Sequence, residues 1–296
     1  MAGKLRKGGE RLIAGVRDLL SQAGLEVSPQ PTPGPGTAGH LARQAIDSGA
    51  GLILALGGDG TINEVAEGMI GSPVPLGILP GGTANVLANE LGLGNRIEQA
   101  AAMLMDCRPR PIFPGRIRDA SGRTRHFLLM AGIGLDAHIV YEMDAAFKKK
   151  WGKLAYWLGG FSQLMRRLDE FHVTVDGHTR RCSFALLTKV RNYGGDLEIA
   201  RCVTLLDDTF EVVLFEGRES VRYLKYMTAA AVNRLYGLKG VTILRARSAS
   251  FAATGSVRVY MQVDGEYAGL LPGEVEMGAD ALTLLAPPSY GRSPKH

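Results

Sequence analysis

The stretch from Gly51 to Ile70 constrains the fold more than any other part of the chain. Gly51-Leu52-Ile53-Leu54-Ala55-Leu56 is a short continuous apolar run, the pattern of a strand buried on both faces of a parallel sheet. The loop Gly57-Gly58-Asp59-Gly60-Thr61-Ile62-Asn63-Glu64 follows without a spacer, and Ile62, Val65, Ala66, Met69 and Ile70 then recur at helical spacing. A strand that turns through glycines into an amphipathic helix is a βα unit, and such a unit needs further strands beside it. The neighbouring sequence supplies candidates. Leu12, Ile13, Val16, Leu19 and Leu20 mark a helix before Gly24, Pro75-Leu76-Gly77-Ile78-Leu79 reads as a strand, and Asn85 to Leu91 and Ile97 to Met105 read as helices. The alternation predicts a doubly wound α/β domain over residues 1–111.

From about residue 112 the pattern changes. Phe171-His172-Val173-Thr174-Val175 precedes Asp176-Gly177, a dipeptide suited to a type I′ hairpin turn. Further strands are expected at Ser183 to Lys189, Phe210 to Phe215, Val241 to Arg247, Val257 to Val263 and Ala281 to Leu285. Interrupting helices are expected at Leu135 to Met143, Lys153 to Leu168 and Ser220 to Leu235. The sum is a second, mainly antiparallel, β-sandwich-like domain over residues 112–285, with a tail over 286–296 that is open to return to the first domain. Pro29 to Gly36 reads as a surface loop.

A chain of 296 residues with 46% hydrophobic content can bury the cores of two such domains. It contains no apolar run of the roughly 18 residues that a spanning helix needs, and its start lacks the apolar centre of a signal peptide, so a cytoplasmic protein is expected. Cys107, Cys182 and Cys202 form neither a Cys-x-x-Cys pair nor an even set, which predicts free thiols. The six histidines are too scattered for a metal-ligand pattern, and the net charge of +5 favours an anionic partner without choosing among nucleotide, lipid surface and nucleic acid.

Glycines between a strand and a helix let the backbone approach a polyphosphate, while the helix start offers unpaired N–H groups and the positive end of its dipole. Asp59 in such a loop would face a metal ion on the phosphates. Two familiar nucleotide loops are excluded by inspection. Asn63 stands where a dinucleotide fingerprint needs its third glycine, and Gly-x-x-x-x-Gly-Lys-[Ser/Thr] occurs nowhere. A second loop, Leu79-Pro80-Gly81-Gly82-Thr83-Ala84-Asn85, also links a strand to a helix. Thr83 is open to two roles, helix cap or phosphate ligand.

These two loops resemble the diacylglycerol kinase catalytic-domain family, in its soluble bacterial lipid kinase branch. The likeness continues through Gly132-Ile133-Gly134-Leu135-Asp136-Ala137, the stretch from Tyr193-Gly194-Gly195-Asp196 to Asp207-Asp208, and Val263-Asp264-Gly265-Glu266, covering nearly the whole chain in order. The first loop alone is shared with NAD kinases and, in similar form, with phosphofructokinases. The resemblance implies ATP and Mg²⁺ in a cleft between the two domains, with a lipid as substrate. It implies nucleotide contacts from Gly57, Gly58, Asp59, Gly60, Thr61, Ile62, Asn63 and Thr83, with Thr32 in a loosely aligned loop. Glu266 matches the proton acceptor, with Asp264 in the same loop, although a plain hairpin turn explains that loop equally well from its sequence. Leu205, Asp208 and Phe210 match a magnesium site built from two main-chain oxygens and one carboxylate. Asp136 either caps its helix or joins Asp59 at the metal.

The chain also departs from the family pattern. Relatives open with an apolar strand ending in Asn-Pro-x-x-Gly, whereas Met1-Ala2-Gly3-Lys4 corresponds to a point inside that motif, so the first strand is absent from this sequence, either because its start lies downstream of the true one or because the strand has been lost. Thr209 replaces the usual glycine in Asp207-Asp208-Thr209-Phe210, and Val86 stands where many relatives have aspartate. Between Phe147 and Arg167, Lys148, Lys149, Lys150, Lys153, Arg166 and Arg167 interleave with Trp151, Tyr156, Trp157 and Phe161. That stretch suits transient contact with an anionic membrane surface, peripheral at the inner face, or else a helix completing the second core. No nucleic-acid module accompanies the charge, so no nucleic-acid partner is expected. The oligomeric state is unreadable, a homodimer included. The leading expectation is transfer of the ATP γ-phosphoryl group to diacylglycerol; a catalytically weak nucleotide- or lipid-binding protein and an NAD kinase are the alternatives.

Overall fold

The computed structural model describes residues 9–135, 137, 168–193 and 197–291. The chain divides into two compact units, Met1–Phe113 with Asp280–His296, and Pro114–Ala279. The basic-aromatic stretch from Phe147 to Arg167, most of the two helices expected there, and Asp136 lie outside the described residues.

The first unit contains α1 (Gly9–Gln22), α2 (Ala38–Asp47), β1 (Ile53–Gly57), α3 (Asp59–Met69), β2 (Leu76–Pro80), α4 (Val86–Glu90), α5 (Ile97–Leu104) and β3 (Arg108–Ile112). Its described sheet has the order β1-β2-β18-β3, where β18 is Leu282–Ala286 near the chain's end. Strands β1 and β2 pair in parallel from Ile53↔Leu76 to Gly57↔Pro80. β18 runs parallel to β2 and antiparallel to β3. Every residue of β2 is buried, so this strand needs a neighbour on each edge, and β18 supplies the second one. The boundary expected at residue 285 therefore falls at 279, because the strand assigned to the second domain belongs to the first. Apolar patterning identifies a buried strand but carries no information about which sheet receives it. Strand β3, Arg108-Pro109-Arg110-Pro111-Ile112, was not expected. Its two prolines cannot donate to a ladder, which confines it to the edge where it lies.

The second unit contains β4 (Gly115–Arg118), β5 (Thr124–Phe127), β6 (Met130–Gly134), β7 (Phe171–Val175), β8 (His178–Cys182), β9 (Phe184–Thr188), β10 (Asn192–Tyr193), β11 (Leu197–Glu198), β12 (Phe210–Phe215), α6 (Ser220–Ala231), β13 (Val241–Ala246), β14 (Ser248–Ala253), β15 (Tyr260–Val263), β16 (Glu266–Leu270) and β17 (Gly273–Met277). Two six-stranded sheets, β13-β12-β9-β6-β15-β16 and β5-β4-β17-β14-β7-β8, enclose one core. All their pairings are antiparallel. The β7–β8 turn has Asp176 at φ 48° and Gly177 at φ 76°, the double positive φ that a type I′ turn requires. Strands β6, β9 and β12 are buried along their whole length, so their outer faces are covered as well. Phe184 and Phe215 stack with ring centroids 4.9 Å apart, and Tyr226 of α6 packs 5.4 Å from Phe215.

Phe127 is fully buried and stacks on Phe210 at 5.6 Å. Its ring fills the space above Gly115, where an added Cβ would stand 2.1 Å from the ring. Emptying that volume leaves a cavity at the centre of the sandwich, so Phe127→Ala is expected to destabilise the second unit by about 3–5 kcal/mol. Urea unfolding followed by circular dichroism would measure it, and an unchanged midpoint would contradict this placement of the core.

Candidate functional site

In the first unit the two glycine-rich loops lie against one another. The Gly81 amide donates to the Gly57 carbonyl at 2.8 Å. A Cβ on Gly82 would stand 2.5 Å from the Gly58 Cα, and one on Gly81 would stand 3.1 Å from the Gly57 Cα. These glycines are thus demanded by backbone meeting backbone, a reason that stands beside the approach of a polyphosphate. Asn85 closes the second loop. It is fully buried at φ 49°, its Oδ1 accepts the Gly82 amide at 2.8 Å, and its Nδ2 donates to the Gly82 carbonyl at 3.1 Å.

Asp59 opens α3, and its Oδ1 accepts the Leu87 amide of α4 at 3.3 Å. Burial pushes its carboxyl above the ordinary value of 3.8, opposed by the amides of Val86, Leu87, Asp59 and Asn85. The start of α4 thus holds this carboxylate. Thr83 is exposed and is not the cap, since α4 begins only after Asn85. α3 starts from an extended Gly58 with no side-chain cap, which leaves its first turn of amides without a capping side chain to compete with an anion. Gly58, Gly60, Thr61 and Asn63 are half-buried beside it. Ile62 is 1% exposed, and its amide donates to the Gly58 carbonyl at 3.0 Å, so both its side chain and its N–H serve the helix. Thr32 is exposed in the loop between α1 and α2. Glu64, the last residue of the first motif, accepts the Ala38 amide at 3.2 Å and so fastens the start of α2.

In the second unit, Asp264 sits at φ 47° in the β15–β16 turn. Its carboxylate accepts the amides of Leu128 at 2.8 Å, Leu129 at 3.0 Å and Met130 at 2.9 Å. Three backbone donors make it a positioning residue that ties the turn to the start of β6. Glu266 is exposed, and Arg125 of β5 pairs with it at 2.7 Å while donating to the Tyr267 carbonyl at 2.5 Å. Arg125 was missed in the sequence because its partner is 141 residues away and no local spacing marks it.

The expected magnesium ligands of this unit are differently engaged. Leu205 and Phe210 are fully buried, and the exposed Asp208 pairs with Arg247. The Asp207 carboxylate accepts the Thr204 amide at 2.6 Å and lies 3.2 Å from Arg245. Lys189, 1% exposed, donates from Nζ to the Asp207 carbonyl at 2.8 Å. Burial pulls its ammonium down to about 8, resisted by Asp207 and Asp208. Cations of the chain thus lie beside both carboxylates of this stretch, Arg245 beside Asp207 and Arg247 beside Asp208. Among the described residues no group of three His, Cys, Asp or Glu is placed to hold a metal.

Two stability measurements separate these carboxylates. Asp264→Ala strands three amides of buried residues and is expected to cost about 3 kcal/mol or more, whereas Glu266→Ala removes only a surface pair worth at most about 1 kcal/mol; equal denaturation midpoints for the two variants would refute the assignment. For Asp59 the folded pKa lies above the unfolded one, so the ionised group costs its full amount of stability above the folded pKa, and that cost fades as pH falls from the folded pKa to the unfolded one. Asp59→Asn keeps an acceptor for Leu87 and loses the charge. Its melting temperature should match or exceed that of the parent at pH 7, with the gap closing towards pH 4; a lower melting temperature at pH 7 would count against the desolvated carboxylate.

Comparison with known proteins bears on both units. Residues 2–117 match the diacylglycerol kinase catalytic domain, and residues 130–286 match the YegS C-terminal NAD kinase beta sandwich-like domain. A diacylglycerol kinase of Bacillus subtilis (strain 168) is 30% identical over 268 residues, 88% of this chain and 86% of that protein. A crystal structure from Bacillus anthracis str. Sterne, of a protein thought to be a diacylglycerol kinase, aligns with a TM-score of 0.78 at 22% identity, covering 95% of this chain and 91% of that one. An NAD kinase from Archaeoglobus fulgidus in complex with ATP shares the fold at a TM-score of 0.53 and 13% identity, over 98% of this chain and 93% of that one. With both domains matched in order and a relative of that identity along most of its length, the chain belongs to the diacylglycerol kinase catalytic-domain family.

Proposed function

We propose that the chain is an ATP-dependent lipid kinase whose acceptor is the hydroxyl of diacylglycerol, giving phosphatidic acid. The observation that carries this reading is the uncapped start of α3 beside Asp59, on a chain of this family. The amides of the first turn hold phosphate oxygens of the nucleotide, and Thr61, Asn63 and Thr83 line the same loops. Asp59 retains acceptor positions beyond its bond to Leu87, since a carboxylate offers about four lone-pair sites, and it would hold the magnesium that accompanies ATP. That ion supplies neutralisation of charge on the phosphates.

Glu266 takes the proton of the lipid hydroxyl as its oxygen bonds to the γ-phosphorus and the bond to ADP breaks. Arg125 orients Glu266 through the ion pair, and Asp264 holds the turn that presents it. The enzyme would work from the cytoplasm and meet its lipid at the inner membrane face. Two observations support this: among the described residues no helix is long and apolar enough to cross a membrane, and the stretch from Lys148 to Arg167 is basic and aromatic.

The deciding experiment is transfer from γ-labelled ATP with Mg²⁺ to a panel of lipid alcohols and NAD in mixed micelles. Labelled phosphatidic acid is expected from diacylglycerol, rising when anionic lipid is included. Glu266→Gln should lower kcat by about two to four orders of magnitude while nucleotide binding persists. Transfer to NAD alone, or bound nucleotide with no transfer to any acceptor, would replace this reading with one of its two alternatives.

A further inference from the structure

We propose that the turn from Thr204 to Thr209 is closed by an internal cation, the ammonium of Lys189, and takes no divalent ion of its own. Buried lysines are rare because an ammonium loses its water, and one that stays charged needs oxygen around it. Lys189 reaches the interior of this turn from the end of β9, and its Nζ lies 2.8 Å from the Asp207 carbonyl. That is the kind of main-chain oxygen a hard cation would otherwise take.

Both carboxylates of the turn are also engaged. Asp207 accepts from the Thr204 amide and, at 3.0 Å, from its hydroxyl, and it pairs with Arg245. Asp208 pairs with Arg247. Thr209, which stands where the family resemblance implies glycine, is part of this arrangement. Its Oγ1 accepts Arg245 Nη2 at 2.8 Å and Nε at 3.1 Å, pinning the guanidinium beside Asp207. A glycine has no atom to do this. Two negative side chains thus face three positive ones, and a divalent ion entering the turn would meet net repulsion at short range.

Where the chain acts as the kinase proposed above, its activity should depend on magnesium only through the metal–nucleotide complex. At a fixed concentration of that complex, the rate should be flat in free Mg²⁺. The binding test needs no activity. Electron paramagnetic resonance of Mn²⁺ would count bound ions on the nucleotide-free Asp59→Asn protein, which removes the carboxylate of the other candidate position. No stoichiometric binding is expected at millimolar Mn²⁺. One equivalent that Asp208→Asn then abolishes would overturn the proposal. Lys189→Gln, which keeps an N–H donor but loses the charge, should melt well below the parent; melting at the parent's temperature would overturn the ammonium's role even with no Mn²⁺ bound.

Discussion

The contact of two backbones at Gly57–Gly58 and Gly81–Gly82 determines what the first unit can present. Only residues without a Cβ allow these loops to touch, and the touch brings the end of β1 and the end of β2 into one frame. From that frame Asp59 reaches the amides of α4, and α3 is left to begin without a capping side chain. Each later feature of this half of the chemistry follows from the same close approach. A side chain at position 82 would separate the loops, move α4 away from Asp59 and leave both a carboxylate and a helix start without partners.

Three acidic residues singled out by one family pattern have three different physical situations. Asp59 is desolvated and shares its charge with a helix start. Asp264 accepts three backbone donors and ties its turn to the start of β6. Glu266 is open to solvent on one side and held by a guanidinium on the other. A proton acceptor has to be reachable and has to hold its place without a full set of donors, and Glu266 meets that requirement where Asp264 does not. Arg125 belongs with it for the same reason, as the group that limits where the carboxylate can point.

Much of this was legible in the sequence because it rests on local patterning. The apolar run at Ile53–Gly57, the α3 stripe and the Asp176-Gly177 turn are short-range signals, and each became the element it implied. What could not be read was pairing over distance. Leu282–Ala286 looks like any buried strand, and nothing nearby says that it crosses to β2. Arg108-Pro109-Arg110-Pro111 carries two strand-breaking residues, and only an edge position makes it a strand at all. The cations around the turn at Thr204–Thr209 come from the residue following β9, from β13 and from the residue following β13, so a motif search finds the acidic residues and not what neutralises them.

The placement of β18 also bears on how the chain acquires its structure during synthesis. The first unit is discontinuous, with the whole second unit inserted between β3 and β18. A ribosome therefore delivers β2 more than two hundred residues before the strand that covers its open edge. Through that interval the sandwich has all its own strands and is free to form, while the older sheet remains incomplete. The order of completion is the reverse of the order of appearance, and the half that carries the glycine loops is closed last.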